Sequence, residues 1–270
     1  MKISEATKES LQKETLSNIE TLTSLVDSIR NGIYMIDKTE NFSRERNIGI
    51  PDENHHLRRF SEYSMLLGLI WLDITTAFRV YLNAKENYET IYATKQLVII
   101  INEGFKKIYN YVGIDDKGNP LTRARNDSFW IKDVGGLVTK ELPYLCDDYD
   151  QITLLLDSYD DQELKDLKEP RNLFVHYDDE PSKVYDFLKN LDIEKITIKT
   201  IPFMDILSKM VNFGHTLQIA YGDLIESRKN NVFDDFINKF EAFRPQMGDN
   251  KNGHDLLDQI NRDLKRWRNL

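Results

Sequence analysis

Cysteine is almost missing from this sequence: Cys146 is the only one in 270 residues. A single thiol excludes an internal disulfide and any zinc site built on paired cysteines. It also leads us to expect a reducing, cytoplasmic compartment. Glycine and proline are sparse, at 12 and 7, which excludes an all-β fold with many tight turns and favours long helices. Long apolar runs are lacking as well. The longest, Met65 to Phe78, is broken by Asp73 and falls short of the ~20 residues that a membrane span needs. The opening MKISEATKESLQKE has no apolar segment of the secretory type. No Walker loop, Gly-x-Ser-x-Gly elbow or dinucleotide fingerprint occurs. A soluble protein that touches no membrane is the expectation.

Positive charge is in deficit, with 36 Lys and Arg against 45 Asp and Glu, a net −9. That weighs against general nucleic-acid affinity, which rests on neutralising phosphates. The deficit is local. Residues 147–180 hold twelve acids against three bases, so this window alone carries −9 and the remainder is about neutral. A path for an anionic polymer that avoids the acidic face is left open.

What is present is helical periodicity. Ile19, Leu22, Val26, Ile29 and Ile33 recur at spacings of three and four, which predicts a helix over 5–36. Residues 37–51 read as a loop. Pro51-Asp52 opens a helix that is apolar nearly all round between Phe60 and Tyr81 and should be central. Further helices are expected over 88–111, 127–142, 149–168 and 182–191, then over 202–228, 231–243 and 254–268. Gly113 to Arg125 reads as a turn-rich loop, and the alternation of Lys195 to Thr200 (KITIKT) as a short extended piece. The fold class is all-α. The domains expected are an N-terminal helix and loop (1–50), a helical bundle (51–228) and C-terminal helices packed on it (229–270).

The segment Glu169-Pro170-Arg171-Asn172-Leu173-Phe174-Val175-His176-Tyr177 carries the most specific chemistry. Pro170 suits the first turn of a helix, where its missing N–H would be unpaired anyway. That turn would offer free N–H groups to a phosphate beside Arg171. Arginine is permanently charged and presents a planar fork that matches phosphate oxygens. Histidine moves protons near neutral pH. The two side chains meet the needs of metal-free RNA cleavage: a proton-transfer group and a cation facing the pentacovalent phosphorus. On a helix they stand about 140° apart, so they converge only if the arginine folds back or a second subunit completes the site.

Arg171-Asn172-x-x-x-His176 resembles the signature of the HEPN superfamily, many of whose members are α-helical ribonucleases of toxin–antitoxin, phage-defence and CRISPR systems. The resemblance implies an up-and-down helical bundle, extended here by N- and C-terminal helices, and a homodimer whose interface cleft holds the motif. It implies Arg171 and His176 as the catalytic pair and Asn172 as a helper. A tyrosine two residues beyond the histidine is common in toxin members; here Tyr177 follows directly and is the supporting tyrosine. RNA is the implied substrate, with an antitoxin or other protein as a possible partner and no cofactor or metal. Some members of the superfamily keep the fold and bind nucleotide, RNA or protein without cleaving.

Other residues compete for a role. Asp73 and Glu103 sit in apolar helical runs, where a carboxylate needs a partner. Each is expected to make a structural hydrogen bond or ion pair; the functional alternative is that one of them, preferably Asp73, faces the Arg171/His176 cleft and orients a catalytic group. Glu53-x-x-His56 is half of a di-metal helical signature, but His176, His215 and His254 each lack a Glu three residues before, so no metal site is expected. Arg123, Arg125 and Trp130 form one candidate RNA contact. Arg262, Lys265, Arg266, Trp267 and Arg268 form another, or complement a helix dipole.

Overall fold

The structure is a computed structural model that describes residues 5–46, 52–109, 112–114, 120–122, 125–175, 181–190, 192–248 and 250–268. Among the described residues the chain is all-α apart from one small hairpin. The helices are α1 (Glu5–Glu45), α2 (Asp52–Asn83), α3 (Asn87–Ile108), α4 (Gly135–Glu141), α5 (Cys146–Tyr159), α6 (Lys165–Val175), α7 (Pro181–Lys189), α8 (Ile193–Glu241) and α9 (Lys251–Arg268). The hairpin pairs β1 (Val112–Ile114) with β2 (Pro120–Thr122), antiparallel, with Gly113 opposite Leu121. All of it but Val112 lies inside the stretch Gly113 to Arg125, expected to be loop. Two compact units are present, Met1–Thr216 and Leu217–Leu270, and the division falls within α8.

In the first unit, successive neighbours run antiparallel. Gln12 near the start of α1 donates to the Leu82 carbonyl at the end of α2 (3.2 Å). At the opposite end Arg58 meets Asp37 (3.0 Å), and the buried Glu40 faces Arg44 (3.4 Å) and His55 (3.8 Å). These contacts explain why α1 continues to Glu45 where a loop is expected from residue 37: its last turns pack on the start of α2. The α2–α3 pair is fixed by the Tyr63 hydroxyl donating to the Ile108 carbonyl (2.9 Å). Nearer the middle, Gly104 lets Ile70 approach so closely that a Cβ there would stand 2.8 Å from it. The core is filled by Leu67, Ile74, Leu97, Ile101, Phe105 and Phe203, all almost fully buried. As expected α2 is central. Within His55–Asn83 it is also long and apolar enough to cross a membrane: an 18-residue window there has mean hydropathy 1.5, with 44% of that window buried.

Three local expectations are corrected by packing. Residues 195–200 are helix, not extended. Ile196, Lys199, Thr200, Phe203, Leu207 and Met210 are buried at spacings of one, three and four, so they lie on one helical face. The threonines back-bond, Thr197 to the Ile193 carbonyl (2.9 Å) and Thr200 to that of Ile196 (3.3 Å). Asp192 caps the start by accepting from the Lys195 N–H (3.0 Å). Second, α8 runs through to Glu241, because no glycine or proline interrupts residues 223–243. Third, Pro170 lies inside α6 rather than at a helix start. The chain is helical from Cys146 to Val175, passing through a π-helical turn at Asp160–Leu164. Leu164, Leu167 and Phe174 are buried on both sides of Pro170. That anchoring outweighs the roughly 3 kcal/mol that an interior proline costs. No free first turn faces Arg171, so the expected N-terminal phosphate site is not formed there.

A buried cation ties α8 to the segment before the motif. Lys199, 10% exposed at its side chain, meets Glu163 (2.5 Å) and Asp166 (3.1 Å). Burial pulls the lysine pKa down, but the hydrogen bonds and charges of the two acids outweigh this and raise it. The Lys199 hydrogen bond, then its charge, and Lys195 hold Asp166 below its ordinary range. A lowered acid stabilises the fold above its unfolded pKa of about 3.9 and loses that contribution as pH falls through the lower folded value. A raised lysine stabilises below about 10.4 and loses its contribution as pH rises through the higher folded value. Lys199→Met should therefore lower the melting temperature most between about pH 5 and 10, and the difference from wild type should shrink in acid. Thermal melts at a series of pH values check this; an equal difference in strong acid and at neutrality would show that packing, not charge, is the source.

The second unit has its own clamp. Arg244 meets both oxygens of Glu241 (2.6 and 2.9 Å) and reaches Asp258 on α9 (2.7 Å). Asn261 also donates to Glu241, while Leu257 provides the buried apolar contact.

Candidate functional site

Arg171 stands on α6, which lies antiparallel to α3. The register is set by Asn102, almost fully buried, which donates to the Leu167 carbonyl (3.3 Å) and to its own helix at Val98 (2.9 Å). Toward the other end, the Lys95 ammonium sits 5.5 Å from the centre of the Phe174 ring. Between these anchors the Arg171 side chain folds back along α3 and closes on Glu103. Its Nε and Nη2 both donate to Glu103 Oε1, at 2.9 and 2.6 Å. Its Nη1 donates to Asn172 Oδ1 at 3.1 Å. Lys106, one turn along α3, reaches the same Glu103 oxygen at 3.4 Å.

Two cations thus share one carboxylate. Partial burial pushes the Glu103 pKa up, but the Arg171 hydrogen bonds and the charges of Lys106 and Arg171 outweigh it and hold the acid below its usual range. Glu103 is therefore ionised at neutral pH, and the cluster of Arg171, Lys106 and Glu103 keeps one net positive charge. The Arg171 side chain is 21% exposed. Its guanidinium is oriented by Glu103 on one edge and by Asn172 at Nη1, on a side chain that keeps part of its surface in solvent. Such an arrangement can hold an anion with little loss of side-chain freedom on binding.

The expected site residues are distributed as follows. Arg171 and Asn172 are adjacent and bonded. Glu103, not the preferred Asp73, is the carboxylate that meets Arg171. Asp73 is exposed and shares the outward stripe of α2 with Leu69, Thr76 and Val80; partial burial raises its pKa. His176 and Tyr177 lie outside the described residues. Trp130 is 1% exposed, stacked on Tyr149 and hydrogen-bonded to Thr153 (2.8 Å), so it is core and cannot stack on a base. Arg123 lies outside the described residues, as does the side chain of Arg125. Arg262, Lys265 and Arg266 are exposed on α9; the side chains of Trp267 and Arg268 lie outside the description. Among the described residues no group of three or more His, Cys, Asp or Glu is placed to hold a metal ion. The side chain of Glu53 is outside them, and His56 is exposed.

Sequence reasoning missed Lys106 and Asn102. Lys106 is three residues from Glu103, a spacing that brings side chains together on a helix, and this signal was available. Asn102 in an apolar run was the other. Its partner, a backbone carbonyl 65 residues away, has no sequence signature. The chain matches no family model, no curated protein and no solved structure.

Proposed function

We propose that the chain is a metal-independent endoribonuclease of the HEPN type, acting as a homodimer in a defence or toxin–antitoxin setting, with Arg171 and His176 as its catalytic pair. The observation that supports this reading is the braced, part-exposed guanidinium of Arg171, held by Glu103 across two helices beside the Arg-Asn-x-x-x-His motif. A preorganised cation aimed at developing negative charge is the usual electrostatic device of phosphoryl transfer.

In the reaction the ribose 2′-oxygen attacks phosphorus as His176 takes its proton. The bond to the 5′-oxygen breaks, a proton returns to that oxygen, and the products are a 2′,3′-cyclic phosphate and a 5′-hydroxyl. Arg171 faces the charge of the pentacovalent phosphorus, with Asn172 and Glu103 fixing its plane. Purified protein should cut single-stranded RNA in EDTA at low ionic strength and leave the cyclic phosphate, while DNA, lacking the attacking hydroxyl, stays intact. End-group analysis of the fragments checks this; cuts bearing 5′-phosphates would overturn it.

One observation favours a second reading, a HEPN-like module that binds nucleotide, RNA or a protein partner without cleaving. The Glu103 carboxylate already neutralises part of the Arg171 charge, as a purely structural ion pair between α3 and α6 would. Intact RNA under the same conditions, bound in an Arg171-dependent way, would favour it.

A further inference from the structure

A cleft of about 720 Å³ opens where α1, α2 and α3 meet, away from Arg171, and its lining includes Ile19, Arg79, Tyr88, Glu89 and Tyr92. Its volume falls in the ordinary range for a small-molecule site, about 300–1,000 Å³. Three features give it a chemistry. Tyr88 and Tyr92 are 69% and 59% exposed, and their spacing of four puts both on one face of α3. Exposed tyrosines at a concave surface are the side chains on which flat rings stack. Arg79 supplies charge, and among the described residues it takes part in no ion pair. The one carboxylate in the lining, Glu89, is turned to the start of α3, where its Oε2 accepts the N–H groups of Lys85 (2.7 Å) and Glu86 (3.2 Å). The Arg79 charge is therefore left for a ligand. Ile19 adds an apolar surface suited to a ring rather than to a hydrated ion.

We propose that this cleft binds a nucleotide unit, its base against Tyr88 and Tyr92 and its phosphate toward Arg79. A free nucleotide and one residue of a single strand share that chemistry. The helical positions of the two tyrosines on α3 share a face with Lys95 and Glu103, and Glu103 holds Arg171 of α6, which suits a strand running along the helix. The proposal needs no reaction at Arg171 and stands whether or not the chain cleaves.

The test is fluorescence anisotropy at low ionic strength with a labelled 2′-O-methyl oligoadenylate, which cannot be cut by 2′-hydroxyl attack, and competition by AMP. Wild type should bind. Tyr88→Ala with Tyr92→Ala should weaken binding about tenfold or more, and Phe at both positions should restore it. Arg79→Gln should weaken binding and reduce its salt dependence by about one phosphate contact. Competition by AMP as tight as by unlabelled oligomer identifies the free nucleotide as ligand; a clear preference for the oligomer identifies the strand. All three side chains line an open cleft, so circular dichroism melts of the variants should match wild type. Failure of wild type to bind either probe would overturn the proposal, as would undiminished binding by the folded double alanine or Arg79→Gln variant. Loss of cleavage in Arg171→Ala with retained binding here would separate this site from the catalytic one.

Discussion

Arg171→Ala should lower RNA cleavage by about a hundredfold or more, the loss seen when a preorganised charge facing the transition state is removed. His176→Ala should abolish it, since it removes the proton-transfer group of the motif. The informative companion is Glu103→Gln. Glutamine keeps the size and one acceptor but loses the charge that draws both Nε and Nη2 of Arg171 onto one oxygen. If Glu103 positions the arginine for chemistry, this variant should cut more slowly with little change in KM, because small misplacements of a reacting group cost rate. Stability should change little in Arg171→Ala and Glu103→Gln. The Arg171–Glu103 pair is part-exposed, with 43% of the Glu103 side chain open to solvent, and such pairs contribute up to about 1 kcal/mol. Single-turnover cleavage and thermal melts on the same preparations separate the two effects. Cleavage that survives in both alanine variants would remove the assignment of these residues.

Trp130→Ala should be the most destabilising single change in the first unit, by about 3–5 kcal/mol. A shift of this size lowers the melting temperature of a chain this long by about 10 °C. Trp130 lies in a π-helical turn at Trp130–Val134. Its ring stacks on Tyr149 with centroids 5.1 Å apart and meets Phe213 edge-on at 5.6 Å. Its indole N–H is satisfied by Thr153. Around it the packing leaves no slack: a Cβ on Gly135 would fall 2.4 Å from the Tyr149 hydroxyl oxygen. Trp130→Phe should cost less than alanine, since it keeps an aromatic face and loses the N–H bond and the larger ring. A melting temperature within a degree or two of wild type for Trp130→Ala would show that this cluster is not the keystone it looks to be.

The site and the core differ in how far they could be read without coordinates. The helical class follows from composition and from apolar residues at three- and four-residue spacing, because burial of one face is a local property of the chain. The central place of α2 was legible for the same reason. Helix ends were less so. Residues 37–45 and 195–200 look like loop and strand by themselves, and both are helix because Glu40, Ile196 and Thr200 are buried against other helices. Pro170 shows the same override: its local cost is real, but Leu167 and Phe174 hold α6 on α3 regardless.

The residues of the candidate site divide along a similar line. Arg171 and Asn172 announce themselves by motif, and Lys106 by its spacing from Glu103. Choosing Glu103 over Asp73 required the rotation of α2 and α3 about their axes. Both acids interrupt apolar runs, so pattern alone cannot rank them. Trp130, a candidate RNA contact with Arg123 and Arg125 by its place near a loop, is core for the complementary reason, since its stacking partner Tyr149 lies 19 residues on. The sequence by itself determined that the chain is helical, that α2 is central and which arginine carries the motif, because these depend on neighbours within a few turns. Only the tertiary structure decided which carboxylate meets that arginine, where Trp130 goes and where the tyrosines of α3 open into a cleft. Those outcomes depend on contacts between residues far apart in the chain, which no local pattern encodes.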